Sequence, residues 1–304
     1  MRHKWLIISL LAVVILGFAF IAGVASYFLS GDAEFTPSVF SGKMVGVISV
    51  DGFISSSDDK VKEIEDARKD DDIVSVILRI ESPGGSIGAS QEILEAVKNL
   101  ANKKPVVVSM GSVAASGGYY IACGGTKILA DPGTVTGSIG VRMDHVTVGE
   151  LLKWAKIGHE TLAVGKFKDT GSFDRPLNPE ERELLEGVLN DLYEQFKETV
   201  AESRNLPIDE VGRLADGRVY TGRQALDLGL VDQLGGFTEA IKVAAELGGI
   251  KGEPKLTYSK KKGEIFLRLI DGAKSVLSMA TDLSPSQVDY WQPVMSLPAN
   301  AVVR

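Results

Sequence analysis

The stretch from Ser109 to Gly125, SMGSVAASGGYYIACGG, constrains the fold of this chain more than any other. A hydrophobic strand, Pro105 to Met110, runs into Gly, Ser and Ala, and Ser116 stands directly before two glycines and an apolar YYIA segment. Small neighbours let the backbone turn sharply from strand to helix. A hydroxyl is then presented where unpaired amides favour a developing oxyanion. The same residues also suit a Gly/Ala turn in which Ser116 only caps a helix.

Upstream, the pattern alternates. Met44 to Ile54 reads as a buried strand, Ser57 to Lys69 as a charged helix, and Val74 to Ile80 as a second strand. That strand enters the loop ESPGGS, Glu81 to Ser86, and an amphipathic helix follows to about Asn102. Lys127 to Ala130 is a fourth strand after Pro105 to Met110. Alternation of this kind predicts an α/β fold of repeated β/α units on a parallel sheet, with functional loops at the carboxyl ends of the strands. Loops on one sheet edge are neighbours, so the bare amides of Gly84 and Gly85 are expected to face that of Gly117 and form an oxyanion hole. An ordinary Pro-Gly turn is the alternative.

Further along, Pro132 to Arg142 reads as an extended loop containing Ser138, and Val146 to Lys156 as a helix. Glu160 to Asp169 reads as a strand with Lys166 and Lys168 on one side, running into a loop at Thr170 to Pro176. Helices are expected over Pro179 to Arg204, Pro207 to Ala215 and Phe237 to Leu247. A strand, a helix and a Gly-ended turn fill Val219 to Gly236.

The ends differ in kind. No charge occurs from Trp5 to Ser30. Some 25 residues at about 1.5 Å each cross a ~30 Å hydrocarbon core, so residues 1–30 are expected to form a cytoplasmic N-terminus and a transmembrane anchor. A cleaved signal peptide ending near AGVAS is the rival, but its apolar core would be shorter. Arg2 and Lys4 hold the N-terminus in the cytoplasm and place the rest outside, as a single-pass protein of the cell membrane. Residues 31–43 read as a linker. Residues 251–304 read as a C-terminal helical extension and tail, with Ile265, Phe266, Leu269, Ile270, Val276 and Leu277 on one face behind Lys260, Lys261 and Lys262. That face suits protein packing or a membrane surface.

A formal charge of −7 without a basic patch argues against nucleic acid as partner. The single cysteine, Cys123, cannot form an internal disulfide. No metal-ligand spacing and no phosphate-cradling motif occurs, so neither metal nor cofactor is expected.

A serine hydroxyl needs a base to become a nucleophile. The candidates are His145, His159, or a lysine kept neutral by desolvation. Lys168, beside Phe167, suits the last option, and Lys166 is its rival.

In order along the chain, SPGG, AASGGYYIA, TGSIGV, GKFKD and YTGRQALDLGLVDQLGG resemble the motifs of the signal peptide peptidase A family, also called protease IV, in its half-length form. The resemblance covers about residues 44–250. It implies a peptidase domain of Clp/crotonase-like fold with a Ser/Lys dyad: Ser116 as nucleophile, Lys168 as general base and Ser138 orienting that lysine. The amide of Gly117, with that of Gly84 or Gly85 and Gly84 preferred, would form the oxyanion hole. It also implies an endopeptidase that degrades cleaved signal peptides and unfolded or membrane-associated segments, in homo-oligomeric rings whose neighbours share active sites. Three alternatives stand beside it. They are a Clp-type triad with His145 as base, a crotonase-like enzyme stabilising a thioester enolate, and a non-catalytic membrane scaffold.

Overall fold

The structure is a computed structural model that describes residues 42–259. The chain divides into two units, Met1–Ser259 and Lys260–Arg304, and every described residue belongs to the first. The expected anchor, nearly all of the linker and the apolar C-terminal face lie outside the described residues. Among those residues, no helix is long and apolar enough to cross a membrane.

The strands, in chain order, are β1 (Met44–Ile54), β2 (Ile73–Gly85), β3 (Val106–Ala115), β4 (Lys127–Ala130), β5 (Val135–Gly137), β6 (Val219–Thr221), β7 (Gln233–Leu234) and β8 (Lys255–Tyr258). The helices are α1 (Asp58–Lys69), α2 (Ile87–Ala101), α3 (Gly117–Ala122), α4 (Gly149–Trp154), α5 (Pro179–Arg204), α6 (Ile208–Leu214), α7 (Gly222–Asp227) and α8 (Phe237–Leu247). One sheet runs in the order β6-β5-β3-β2-β1-β8, with β4 also on β3 and β7 on β4. All pairs are parallel except β5 with β6.

Strand alternation sorts the core into two layers. Ile48, Val50, Val76, Leu78, Ile80, Val106, Val108 and Met110 pack on one face under α1, α2, α3 and α5. Val45, Val47, Ile77, Val107 and Leu129 point the other way, against Ala240, Val243 and Ala244 of α8. Each fully buried Ile, Leu or Val contributes about 1.5–3 kcal/mol, so the central strands carry the fold.

Two differences from the sequence-based expectation matter. Residues 160–169 form no strand; they are an irregular segment ending in a turn. Leu162 and Val164 are almost fully exposed, at 91% and 97%, so none of the described residues covers a strand there. At the other end, Lys255–Tyr258 pairs in parallel with Met44–Val47. The sheet thus continues past residue 250, into what reads as a helical extension, because β1 would otherwise end the sheet with unpaired backbone.

One irregularity aims β3. Ile80 pairs with Met110 but Ser82 pairs with Ala114, so β3 gains extra residues at Gly111–Val113. The Glu81 carboxylate accepts the Ser112 and Val113 amides at 2.8 and 3.2 Å. A side chain at Gly111 would collide with that carboxylate. The bulge lets β3 leave β4 after Met110 and pair with β5 from Val113 to Ala115.

Candidate active site

Ser116 sits where β3 ends and the buried helix α3 begins, with φ 52° and ψ −121°. This left-handed, non-glycine conformation costs about 1–3 kcal/mol and persists only when its surroundings impose it. They do so here: the Ser116 amide donates to the Gly137 carbonyl at 2.8 Å, and the Tyr119 hydroxyl behind it donates to the Leu230 carbonyl at 2.8 Å. Tyr119 and Ile121 are fully buried, which anchors α3. The result is a strained strand-to-helix turn with a half-buried serine at its tip.

The ESPGGS loop lies against this turn. Gly84 has φ 106°, and a Cβ there would stand 2.8 Å from both the Gly117 nitrogen and the Ser116 Cβ. A Cβ on Gly117 would meet the Gly85 nitrogen at 3.2 Å, and one on Gly85 would collide with the Ile54 backbone. Only glycine backbones allow the loop and the elbow to approach this closely. The Gly84 amide is engaged: it donates to Ser82 Oγ at 3.1 Å, and Ser82 Oγ in turn donates to the Gly52 carbonyl at 2.6 Å.

Ser138 also has a left-handed conformation, φ 50°, with its amide donating to the Arg218 carbonyl at 2.8 Å. It follows Gly137, the residue that accepts the Ser116 amide, so Ser116, Gly117, Gly84, Gly85 and Ser138 gather at one end of the sheet. A small pocket, open to solvent, lies there. Ser116, Gly117, Gly85 and Gly140 line it together with Ile87, Ser90, Tyr120, Leu192 and Phe196. Tyr120 and Phe196 meet edge to face at 4.8 Å.

Lys168 does not join this group. It is exposed in the turn at Gly165–Thr170 and does not line the cavity. Lys166, also exposed, pairs with Glu180 at 2.9 Å. His145 Nε2 lies 3.2 Å from the Arg175 carbonyl oxygen, and His159 Nδ1 is 3.4 Å from Asp174 Oδ2.

The apolar wall from α5 had no counterpart in the sequence reading, because no local pattern tells which face of a long helix borders a cleft. A second cluster missed there joins Asp169, Arg175, Asn178 and Glu181. The Asn-x-x-Glu spacing at the start of α5 carried its signal, since that spacing makes a capping box. Among the described residues, no group of His, Cys, Asp and Glu is arranged to hold a metal ion.

The family model described as peptidase family S49 matches residues 98–251, half of the chain, including the elbow, Ser138 and Lys168. The chain belongs to peptidase family S49. A Clp protease family model also matches residues 56–131, which span α1 to β4. A Synechocystis sp. protein named provisionally as a protease is 38% identical over an alignment of 255 positions that covers 82% of this chain and 91% of that one. The chloroplastic serine protease SPPA of Arabidopsis thaliana is 38% identical over 216 residues, covering 71% of this chain but 32% of its own length. Among solved structures, a ClpP1 variant from Listeria monocytogenes aligns with a TM-score of 0.44 at 17% identity, covering 64% of this chain and 93% of that one. As an S49 member with serine protease relatives, the chain is a serine peptidase acting on peptide bonds.

Proposed function

We propose that this S49 peptidase is a membrane-anchored endopeptidase with Ser116 as nucleophile, Lys168 as general base and Ser138 orienting the lysine. The observation that carries this reading is the left-handed Ser116 elbow, packed against the glycines of the ESPGGS loop at the mouth of an apolar cavity. Neutral Lys168 takes the Ser116 proton as Oγ attacks the scissile carbonyl. The ammonium then gives its proton to the leaving amine, and water releases the acyl group with the lysine again as base. The Gly117 and Gly85 amides hold the oxyanion. Gly85 is preferred to Gly84 because the Gly84 amide already donates to Ser82 Oγ, whereas the Gly85 nitrogen faces the Gly117 α-carbon.

A lysine acts as base only when desolvation disfavours its ammonium form. In the single chain Lys168 is exposed, and so are Val146, Trp154, Leu162 and Val164 in the segment around it. Packing of a second copy onto residues 146–168 would cover both the lysine and these exposed apolar side chains. This supports a homo-oligomeric ring in which neighbours complete one another's sites.

The cavity wall of Ile87, Tyr120, Leu192 and Phe196 favours an apolar substrate side chain beside Ser116. Together with the uncharged run from Trp5 to Ser30, this suits an extracytoplasmic peptidase that clears residual signal peptides and other membrane-associated segments. The anchor, residues 1–30, and the linker, 31–43, would hold the peptidase domain, 44–250, near such substrates. The C-terminal segment, 251–304, would extend that domain.

The test is cleavage of a fluorogenic peptide with an apolar residue before the scissile bond, using full-length protein in detergent. Ser116→Ala and Lys168→Ala are each expected to lose at least about 10³-fold in turnover. Wild-type turnover in either variant would refute the dyad.

A further inference from the structure

Lys168 lies in a turn with little packing of its own, yet the residue after it is clamped. Arg175 Nη2 donates to Asp169 Oδ2 at 3.0 Å and to the Asp169 carbonyl at 3.1 Å. The same guanidinium donates to both oxygens of Glu181, at 2.7 and 2.8 Å. Glu181 is only 2% exposed. It is fixed in turn by the Asn178 amide at 2.9 Å, in the capping box that starts α5. One planar fork therefore joins the lysine-bearing turn to the first turn of a 26-residue helix, whose Leu192 and Phe196 line the cavity at Ser116.

We infer that Arg175 is a positioning residue for Lys168, tying its turn to the frame of the cavity and neutralising the two carboxylates closest to it in the clamp. This rests on the reading of Lys168 as base. It holds whether the lysine serves its own chain or a neighbour, because the clamp lies within one chain.

Two other charged groups near the clamp have partners of their own. Lys166 pairs with Glu180 from α5, and Asp174 is held by Ser172 Oγ at 2.6 Å and by His159. His145 packs on the Arg175 carbonyl. Without Arg175, Asp169 and Glu181 would leave two uncompensated negative charges beside the turn. Their field would favour the ammonium form of the base, so activity would appear only at higher pH. Replacement by lysine keeps the charge but cannot reproduce the two-sided fork.

Two variants separate these effects, assayed as full-length protein on the fluorogenic peptide from pH 6 to 10. Arg175→Lys is expected to lower kcat by roughly 10- to 100-fold through misplacement of the base, with KM within about twofold and the acidic limb of kcat/KM in place. Arg175→Met is expected to lower kcat and also to move that limb upward by roughly one pH unit. A purely structural residue would lower the melting temperature and the folded fraction without moving the limb.

Wild-type kcat in Arg175→Lys, or an unmoved limb in Arg175→Met, would overturn the inference. If Arg175→Met fails to fold, the double variant Arg175→Met/Glu181→Gln leaves no buried unpaired carboxylate, and a limb moved upward by Asp169 alone is then the expected result, an unmoved one the refuting result. Lys168→Ala is the control for the underlying reading: full activity there refutes the base itself, whereas an inactive Lys168→Ala beside a wild-type Arg175→Lys refutes only the clamp.

Discussion

Replacing Gly84 with Ala tests the contact between the ESPGGS loop and the Ser116 elbow. Gly84 has φ 106°, a conformation that costs a non-glycine residue about 1–3 kcal/mol. The new methyl group would also stand 2.8 Å from the Gly117 nitrogen and 2.8 Å from the Ser116 Cβ, and 3.0 Å from the Ala115 carbonyl. Two of these three atoms are backbone, so relief requires the loop or the elbow to move. Together the strain and the clash should cost about 2–4 kcal/mol, in the range of overpacking combined with a disallowed backbone. For a domain of this size that lowers the melting temperature by roughly 4–16 °C.

The catalytic effect should be larger than the loss of stability implies. The methyl group crowds the amide proposed to hold the oxyanion, and losing one such donor typically costs about 10² to 10³ in turnover. The assay is peptide cleavage well below the melting temperature, with thermal unfolding recorded on the same sample. Gly88→Ala is the internal control, because a Cβ there meets nothing within 4 Å in the first turn of α2. It should leave turnover unchanged and stabilise by up to about 1 kcal/mol. If Gly84→Ala unfolds earlier yet keeps turnover within about threefold of wild type at a temperature where it is folded, these amides are not oxyanion donors.

Other outcomes follow from the same structure. Leu192→Ala enlarges the pocket that Leu192 and Ser116 both line, so cleavage should shift by roughly 10-fold toward peptides with bulkier apolar residues before the scissile bond, as read from kcat/KM on a matched peptide pair. The Cys123 thiol is buried, and burial pushes its pKa up to about 12. Native protein at pH 8 should therefore resist a thiol reagent that reacts fully once guanidinium unfolds the chain; rapid native labelling would show that α3 opens. The Glu181 carboxyl is held down to about 2, first by Arg175 and then by the Asn178 amide. A depressed carboxylate stabilises the fold above its unfolded value of about 4.3, and that stabilisation fades as pH falls toward 2. Amide exchange at Asn178–Arg182 should accelerate between those pH values in wild type, whereas Glu181→Gln should show fast exchange already at pH 6.

The helices over Pro179–Arg204 and Phe237–Leu247 were legible to the residue, because long amphipathic runs with capping signals need little tertiary context. The strands β1 to β4 were also legible as Val- and Ile-rich runs, although β2 and β3 extend into the glycine and serine segments that follow them. The segment 160–169 misled the strand reading. Alternating polarity resembles a strand, but a strand also needs a neighbour for its backbone, and no described strand pairs with it. The reverse holds for Lys255–Tyr258, too short to be distinctive alone and ordered by the open edge of β1.

Residue order alone determined that a serine would follow a buried strand among glycines, that a second glycine loop would share its edge of the sheet, and that two lysines would come later. Those are matters of local conformation: small residues permit tight turns, and β-branched runs prefer extended backbone. Only the tertiary structure decided that Ser116 takes a left-handed conformation, that Glu81 captures the β3 bulge, that α5 walls the cavity and that Arg175 clamps the turn of Lys168. Each depends on groups far apart in the chain meeting within a few ångströms, and short-range propensities carry no information about such meetings.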